Sequence, residues 1–202
     1  MLAAISLSLQ LQRASFDLLD GVNIQLAVHN TSKSPASVNF KEPTEYSIEV
    51  LRDGSVMWSS SPARSPVAEH GHTKQFMPGP TVLAIYVWNE ISSDGTTPAP
   101  GEYTIRARLL GESASPQAST RIRFVAPIPI NALGAFRQGE EITIAGSLEN
   151  DEQELYDAGG SVKLSRRLVN ASDTQIAVRG YVIILPDKSR EFFVERWAPL
   201  GS

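Results

Sequence analysis

The sequence predicts an all-β protein, a β-sandwich followed by a small OB- or SH3-like β-barrel. Three observations carry this reading. Apolar and polar residues alternate with period two through most of the 202 residues, the mark of strands with one buried face. Turn-forming residues recur every ~8–12 positions in the first part of the chain, the spacing of a sandwich. No stretch of ten residues carries a helical period.

Ile5, Leu7, Leu9 and Leu11 alternate with Ser6, Ser8 and Gln10 to give the first strand. Val22, Ile24, Leu26 and Val28 give the next, closed by the polar turn Asn30-Thr31-Ser32-Lys33-Ser34-Pro35. Shorter strands follow around Ala36 to Phe40 and at Tyr46, Ile48 and Val50. Asp53-Gly54 reads as a tight hairpin turn, because both positions of such a turn demand positive φ, and Val56-Met57-Trp58 returns from it. Residues 59–74 show no strand period, whereas Val82 to Trp88 is nearly all apolar and reads as a strand deep in the sandwich. Gly101 to Leu109 and Thr120 to Val125 alternate cleanly.

Ala126-Pro127-Ile128-Pro129-Ile130 reads as a linker, since proline cannot donate to a sheet ladder. The expected organisation is therefore a sandwich over 1–125, a proline-containing linker over 126–130 and a barrel over 131–202. The barrel strands are expected at Glu141 to Leu148, Glu154 to Tyr156, Ser161 to Leu168, Thr174 to Leu185 and Arg190 to Trp197. So few strands in so short a span cover their edges most economically by closing into a barrel.

Composition narrows function by exclusion. There are 18 Lys and Arg against 22 Asp and Glu, a net charge of −4. Residues 1–127 hold 10 basic and 11 acidic side chains and residues 128–202 hold 8 and 11, so neither half has the basic footprint of a nucleic-acid binder. No run of ~18 apolar residues predicts a membrane span. With no cysteine, disulfides, thiolate zinc sites and cysteine nucleophiles are excluded. The start, MLAAISLSLQLQ, lacks a basic segment and a cleavage site. The protein is accordingly read as cytoplasmic, or as extracytoplasmic with a leader removed. Partner identity and oligomeric state are not encoded in any motif.

Several residues together carry a family resemblance. Asn30 ends the second strand, Phe40 lies in the third, and Tyr46-x-Ile48-x-Val50 leads into Asp53-Gly54-x-Val56-x-Trp58. Met77-Pro78-Gly79, Trp88 and Pro100-Gly101-x-Tyr103-x-Ile105 follow in order. Over residues 15–111 this resembles the intracellular proteinase inhibitor (BsuPI) family. The resemblance implies an immunoglobulin-like sandwich and a non-enzymatic protein that binds a protein partner, a serine protease in the leading reading. Phe40, Trp58, Trp88 and Tyr103 are expected in the core, Tyr103 with its hydroxyl on backbone. The C-terminal part resembles small bacterial OB-like modules through Ile144-Ala145-Gly146-x-Leu148, Gly159-Gly160-x-Val162-x-Leu164 and Val178-Arg179-Gly180.

The expected contact is the polar, proline-containing segment after Trp58. Pro62 and Pro66 would stiffen a loop carrying Ala63, Arg64 and Ser65, and Arg64 could enter a protease specificity pocket. Two other readings stand beside it: an accessory module of an extracytoplasmic assembly that binds through an edge strand, and oligonucleotide binding by the barrel. The last would use Arg166, Arg167, Arg179, Arg190 and Arg196 beside Tyr181, Phe192, Phe193 and Trp197. Only one of Phe192 and Phe193 can face outward, because neighbours on a strand point to opposite sides.

His70 and His72 with Glu69 or His29 do not make a zinc ligand set, so no metal and no cofactor is expected. Glu140-Glu141 and Asp151-Glu152 read as hydrated surface carboxylates. No nucleophile elbow or phosphate loop is present, so the chain is not read as an enzyme. Asn30-Thr31-Ser32 and Asn170-Ala171-Ser172 match the glycosylation acceptor pattern.

Overall fold

Period two becomes strand almost everywhere in the described residues, which in this computed structural model are 5–60, 71–89, 95–112, 115–148, 153–168 and 175–200. In chain order the strands are β1 (Ile5–Leu11), β2 (Ser15–Phe16), β3 (Val22–Asn30), β4 (Ala36–Phe40), β5 (Tyr46–Arg52), β6 (Ser55–Ser59), β7 (His72–Phe76) and β8 (Gly79–Trp88). They continue as β9 (Gly101–Leu109), β10 (Gln117–Phe124), β11 (Glu141–Leu148), β12 (Glu154–Asp157), β13 (Gly160–Leu164), β14 (Gln175–Ile184) and β15 (Arg190–Pro199). One 3₁₀ helix spans Ile130–Ala135. The chain divides into two units. The first holds Met1–Ala14, Val22–Trp88 and Glu102–Ile122; the second holds Ser15–Gly21, Asn89–Gly101 and Arg123–Ser202.

In the first unit, β1, β3 and β8 form an antiparallel sheet in the order β1-β3-β8. A second sheet has the order β10-β9-β5-β6, and β4 pairs with β7 as a separate ribbon. One face of each large sheet is apolar: Val22, Ile24, Leu26 and Val28 on β3, and Tyr103, Ile105, Ala107 and Leu109 on β9 are all buried. Each such aliphatic side chain, once buried, contributes ~1.5–3 kcal/mol. Trp58 of β6 reaches Tyr86 and Trp88 of β8, with ring centroids 5.3 and 5.9 Å apart, so these two sheets face one another. The β5–β6 hairpin turns through Asp53 and Gly54 at φ 50° and 82°, which the Asp-Gly pair permits.

Two expectations change here. Phe40, Trp88 and Tyr103 are buried, but Trp58 is only half-buried. Tyr103 also meets a side chain: Arg52 donates to its phenol, and burial raises the phenol pKa while Arg52 acts against that rise. The apolar run Val82 to Trp88 is not deep in a sandwich. Among the described residues it is the end strand of its sheet, and Val82, Ile85 and Val87 are 51%, 72% and 50% exposed. An apolar run reads the same whether a strand is covered on both faces or left uncovered on one.

In the second unit, five strands close a barrel in the order β11-β12-β13-β15-β14. Only β13–β15 is a parallel pair among the registered neighbours of this barrel. Closure leaves no sheet edge. Ile144, Leu155, Leu164, Ile176, Val178 and Phe192 fill the interior, with Ile130 and Leu133 of the 3₁₀ helix packed against them. Ile128 pairs with Ile144 by a parallel bridge, its N–H donating to the Thr143 carbonyl at 2.8 Å. Ser15–Gly21 belongs to this unit too. Phe16 pairs in parallel with Phe124, their rings 6.2 Å apart.

Candidate functional site

The stretch Glu45 to Ile48 anchors the chain on both sides of segment 61–70. Before the segment, Ser60 and Ile48 bond reciprocally: the Ser60 N–H donates to the Ile48 carbonyl at 2.8 Å, and the Ile48 N–H to Ser60 Oγ at 3.0 Å. After it, Gly71 passes so close to the carbonyl oxygens of Phe40 and Lys41 that a Cβ would collide with them. His72 then stacks on Phe40 with centroids 5.1 Å apart, its register partner across β4–β7.

Glu45 holds β7 through both carboxylate oxygens. Oε1 lies 3.1 Å from His72 Nε2, and Oε2 accepts from Lys74 Nζ at 2.6 Å. Its backbone carbonyl accepts from the Leu110 N–H at 2.9 Å. Burial pushes the Glu45 carboxyl upward, but the hydrogen bonds and charges of Lys74 and His72 outweigh it, so its pKa sits below the usual 4.5.

The predicted contact residues Pro62, Ala63, Arg64, Ser65 and Pro66 lie outside the described residues, as do Glu69 and His70. The period-less stretch read at 59–74 is shorter than expected, because β7 begins at His72. His72 and Lys74 occupy the half-buried face beside Phe76. Their aliphatic and ring portions pack while their polar tips reach Glu45, so they disguise the strand period as polar loop. His29 is exposed on β3, and among the described residues no group of three His, Asp or Glu side chains is placed to hold a metal ion.

In the second unit the arginine–aromatic constellation disperses. Arg179 is 7% exposed and sits among carboxylates: Asp20 at 2.8 Å, Glu141 at 2.8 Å and Asp17 at 3.5 Å. Thr143 Oγ1 accepts from Arg179 and donates to the Leu18 carbonyl. Glu141 is thus an ion-pair partner rather than a purely hydrated carboxylate. Arg190 donates to the Leu133 carbonyl, Arg166 donates to the Glu195 carbonyl at 3.2 Å, and Phe192 is in the core. Phe193 and Tyr181 remain outside as a stacked cross-strand pair with centroids 4.7 Å apart. Asn30 is 1% exposed and fully engaged, so the first acceptor-like motif is a turn latch.

Fold and site define an all-β protein whose first unit fixes the chain on both sides of segment 61–70. The chain belongs to the intracellular proteinase inhibitor (BsuPI) family, whose sequence profile matches residues 9–114, more than half of its length. No curated protein matches it. Among solved structures it is similar to the sporulation control protein Spo0M of Bacillus subtilis, with 14% identity, 88% of this chain and 67% of that one covered, and a TM-score of 0.40. A β-glucosidase from Erythrobacter marinus shares 18% identity over 61% of this chain at a TM-score of 0.35; the chain spans 16% of that enzyme. The alkylpurine DNA glycosylase AlkC of Pseudomonas fluorescens, bound to DNA containing an abasic site analogue, shares 14% identity over 61% of this chain and 31% of its own, at a TM-score of 0.34. No helix among the described residues is long and apolar enough to cross a membrane.

Proposed function

We propose that the chain is a non-enzymatic protein-binding module of the proteinase-inhibitor type, that its partner is a serine protease, and that Pro62, Ala63, Arg64, Ser65 and Pro66 make the contact. The observation that carries the reading is the family match over residues 9–114. The anchorage described above supports it. A segment whose two ends are fixed on residues 45–48 loses less conformational freedom on docking than one with free ends, and that saving appears directly as affinity. Arg64 supplies the basic side chain that an acidic specificity pocket accepts.

The test is inhibition of a panel of serine proteases by the wild type and by Arg64→Ala. Against a protease that cleaves after basic residues, Arg64→Ala should weaken inhibition roughly a hundredfold, the effect of removing a central anchor. Equal inhibition by both proteins removes this segment from the contact. Absence of inhibition across the panel removes the inhibitor reading itself.

A further inference from the structure

A groove of about 500 Å³ crosses the outer face of the neighbouring strands β10, β9 and β5, lined by Leu51, Thr104, Arg106, Gln117 and Ser119 among others. Ile105, Ala107 and Ile122 are buried, so Thr104, Arg106, Arg108 and Arg121 stand on the opposite side of the sheet from the core.

Arg106 is held in place within this groove. It pairs with Glu49 across β5–β9, and its Nε and Nη2 both donate to Glu49 Oε2, at 2.8 and 2.6 Å. The two side chains are 29% and 22% exposed. This fixes the plane of the guanidinium while engaging only one of its edges. Among the described residues Arg106 makes no other hydrogen bond or ion pair, so Nη1 keeps its donors. Arg108, Arg121 and Glu102 are exposed and form no ion pair among the described residues. Along β9 the outward side chains run Glu102, Thr104, Arg106, Arg108, each ~7 Å from the next. The pattern is acid, neutral, base, base.

We propose that this face binds an extended segment of a partner protein whose alternate side chains run base, neutral, acid, acid. The alternate side chains of an extended segment have the same ~7 Å spacing as those of β9. Its two carboxylates therefore reach Arg106 and Arg108 together, and its base reaches Glu102. Gln117 and Ser119 offer donors and acceptors to its peptide groups, and Arg121, two residues beyond Ser119, adds a third cation to the face.

Charge decides between occupants. A nucleic-acid strand carries phosphate at every step and meets Glu102 and Glu49 as like charges. No aromatic residue of β5, β9 or β10 is exposed to stack a base. Few ion pairs are made and most are open to solvent, so dissociation on the order of 100 μM is expected.

Fluorescence anisotropy of a labelled peptide KSASESE, titrated with the full chain, tests this. Binding should saturate and should weaken as salt rises. The charge-swapped peptide ESASKSK should bind at least about tenfold more weakly. Arg108→Glu changes an exposed side chain; it should leave the thermal midpoint unchanged and weaken KSASESE binding at least about tenfold. Glu102→Lys should move the preference to ESASESE. No saturable binding overturns the proposal, as does equal binding of KSASESE and ESASKSK or indifference to Arg108→Glu. A deoxythymidine oligomer that displaces the peptide, and whose own binding is lost in Arg108→Glu, also overturns it and gives the face to nucleic acid. None of these outcomes depends on protease inhibition.

Discussion

Arg179 and Asp20 form an ion pair at 2.8 Å in which the side chains are only 8% and 6% exposed. Asp20 also accepts from the Asp17 N–H at 3.0 Å, while the Asp20 N–H donates to the Asp17 carbonyl at 3.1 Å. The pair therefore fixes the turn 17–20 as well as the charge of Arg179. Asp20→Ala removes the best-shielded partner and leaves Arg179 to Glu141 and Asp17, which are more exposed. Breaking a buried pair from one side costs ~3–5 kcal/mol; with two partners retained, the lower end of that range is expected. Urea unfolding should show the midpoint drop, and a change under ~1 kcal/mol would mean that the cluster is solvated.

The same cluster predicts how the barrel behaves when excised. A fragment of residues 126–202 lacks Asp17, Asp20 and the Leu18 carbonyl, and so leaves the buried Arg179 only Glu141 and Thr143 and takes from the Thr143 hydroxyl its acceptor. A fragment prepared this way should be markedly less stable than the barrel in the full chain, and adding a peptide of residues 12–22 should restore part of the loss. Equal thermal midpoints for the fragment and for the barrel in the full chain would contradict this.

Glu45 predicts an acid sensitivity. Its folded-state pKa is depressed below 4.5 by Lys74 and His72. The stabilisation is then fully present above the unfolded value and is lost as pH falls through the folded value. Wild type should lose stability more steeply than Glu45→Gln from roughly pH 5 downward. At neutral pH the substitution should cost ~1 kcal/mol, since Lys74 is 37% exposed and solvent screens the pair. Parallel pH profiles of the two proteins would show that the carboxylate contributes nothing.

What the sequence disclosed and what it hid have physical reasons. Asp53-Gly54 announces its hairpin because few residue pairs tolerate two positive φ angles. Barrel strand β13 and the first half of β15 are legible because buried and exposed residues alternate along them. Arg179 was not legible, since Asp17 and Asp20 lie far from it in the chain and no local period reports a distant counter-charge. Strand β2, two residues long, has no period to read. The anchorage on Glu45 was hidden likewise: His72 and Lys74 look like loop residues until the carboxylate that receives them is in place.

Gly180 should be irreplaceable for steric reasons. It sits where the β14–β15 register shifts, and a Cβ there would run into the Phe193 carbonyl oxygen, which belongs to rigid backbone. Gly180→Ala must push β14 and β15 apart at this irregularity, at a cost of about 3 kcal/mol or more. Gly134→Ala is the control, because nothing lies within 4 Å of the added atom; it should stay within about 0.5 kcal/mol. Similar thermal midpoints for the two variants would refute the steric argument.

Asn30 yields the last prediction. Its Nδ2 donates to the carbonyls of Ser34 and Phe76, both at 2.9 Å, while Oδ1 accepts from the Ser32 N–H at 3.0 Å and Ser32 Oγ at 2.7 Å. Asn30→Ala strips all four and leaves a buried carbonyl unpaired, which should cost ~3 kcal/mol. Asn30→Asp separates the donor half from the acceptor half. A carboxylate can still accept from Ser32, but it faces two carbonyl oxygens with no proton to give, so at neutral pH it should be at least as damaging as alanine. Protonation supplies one donor, and the two facing carbonyl oxygens favour the protonated acid in the folded state. The aspartate variant should therefore recover relative to alanine as pH falls towards about 4, the recovery being complete below that unfolded-state value. If the aspartate variant matches wild type at neutral pH, the amide is not donating to Phe76, and the turn is held by Ser32 and Ser34 alone.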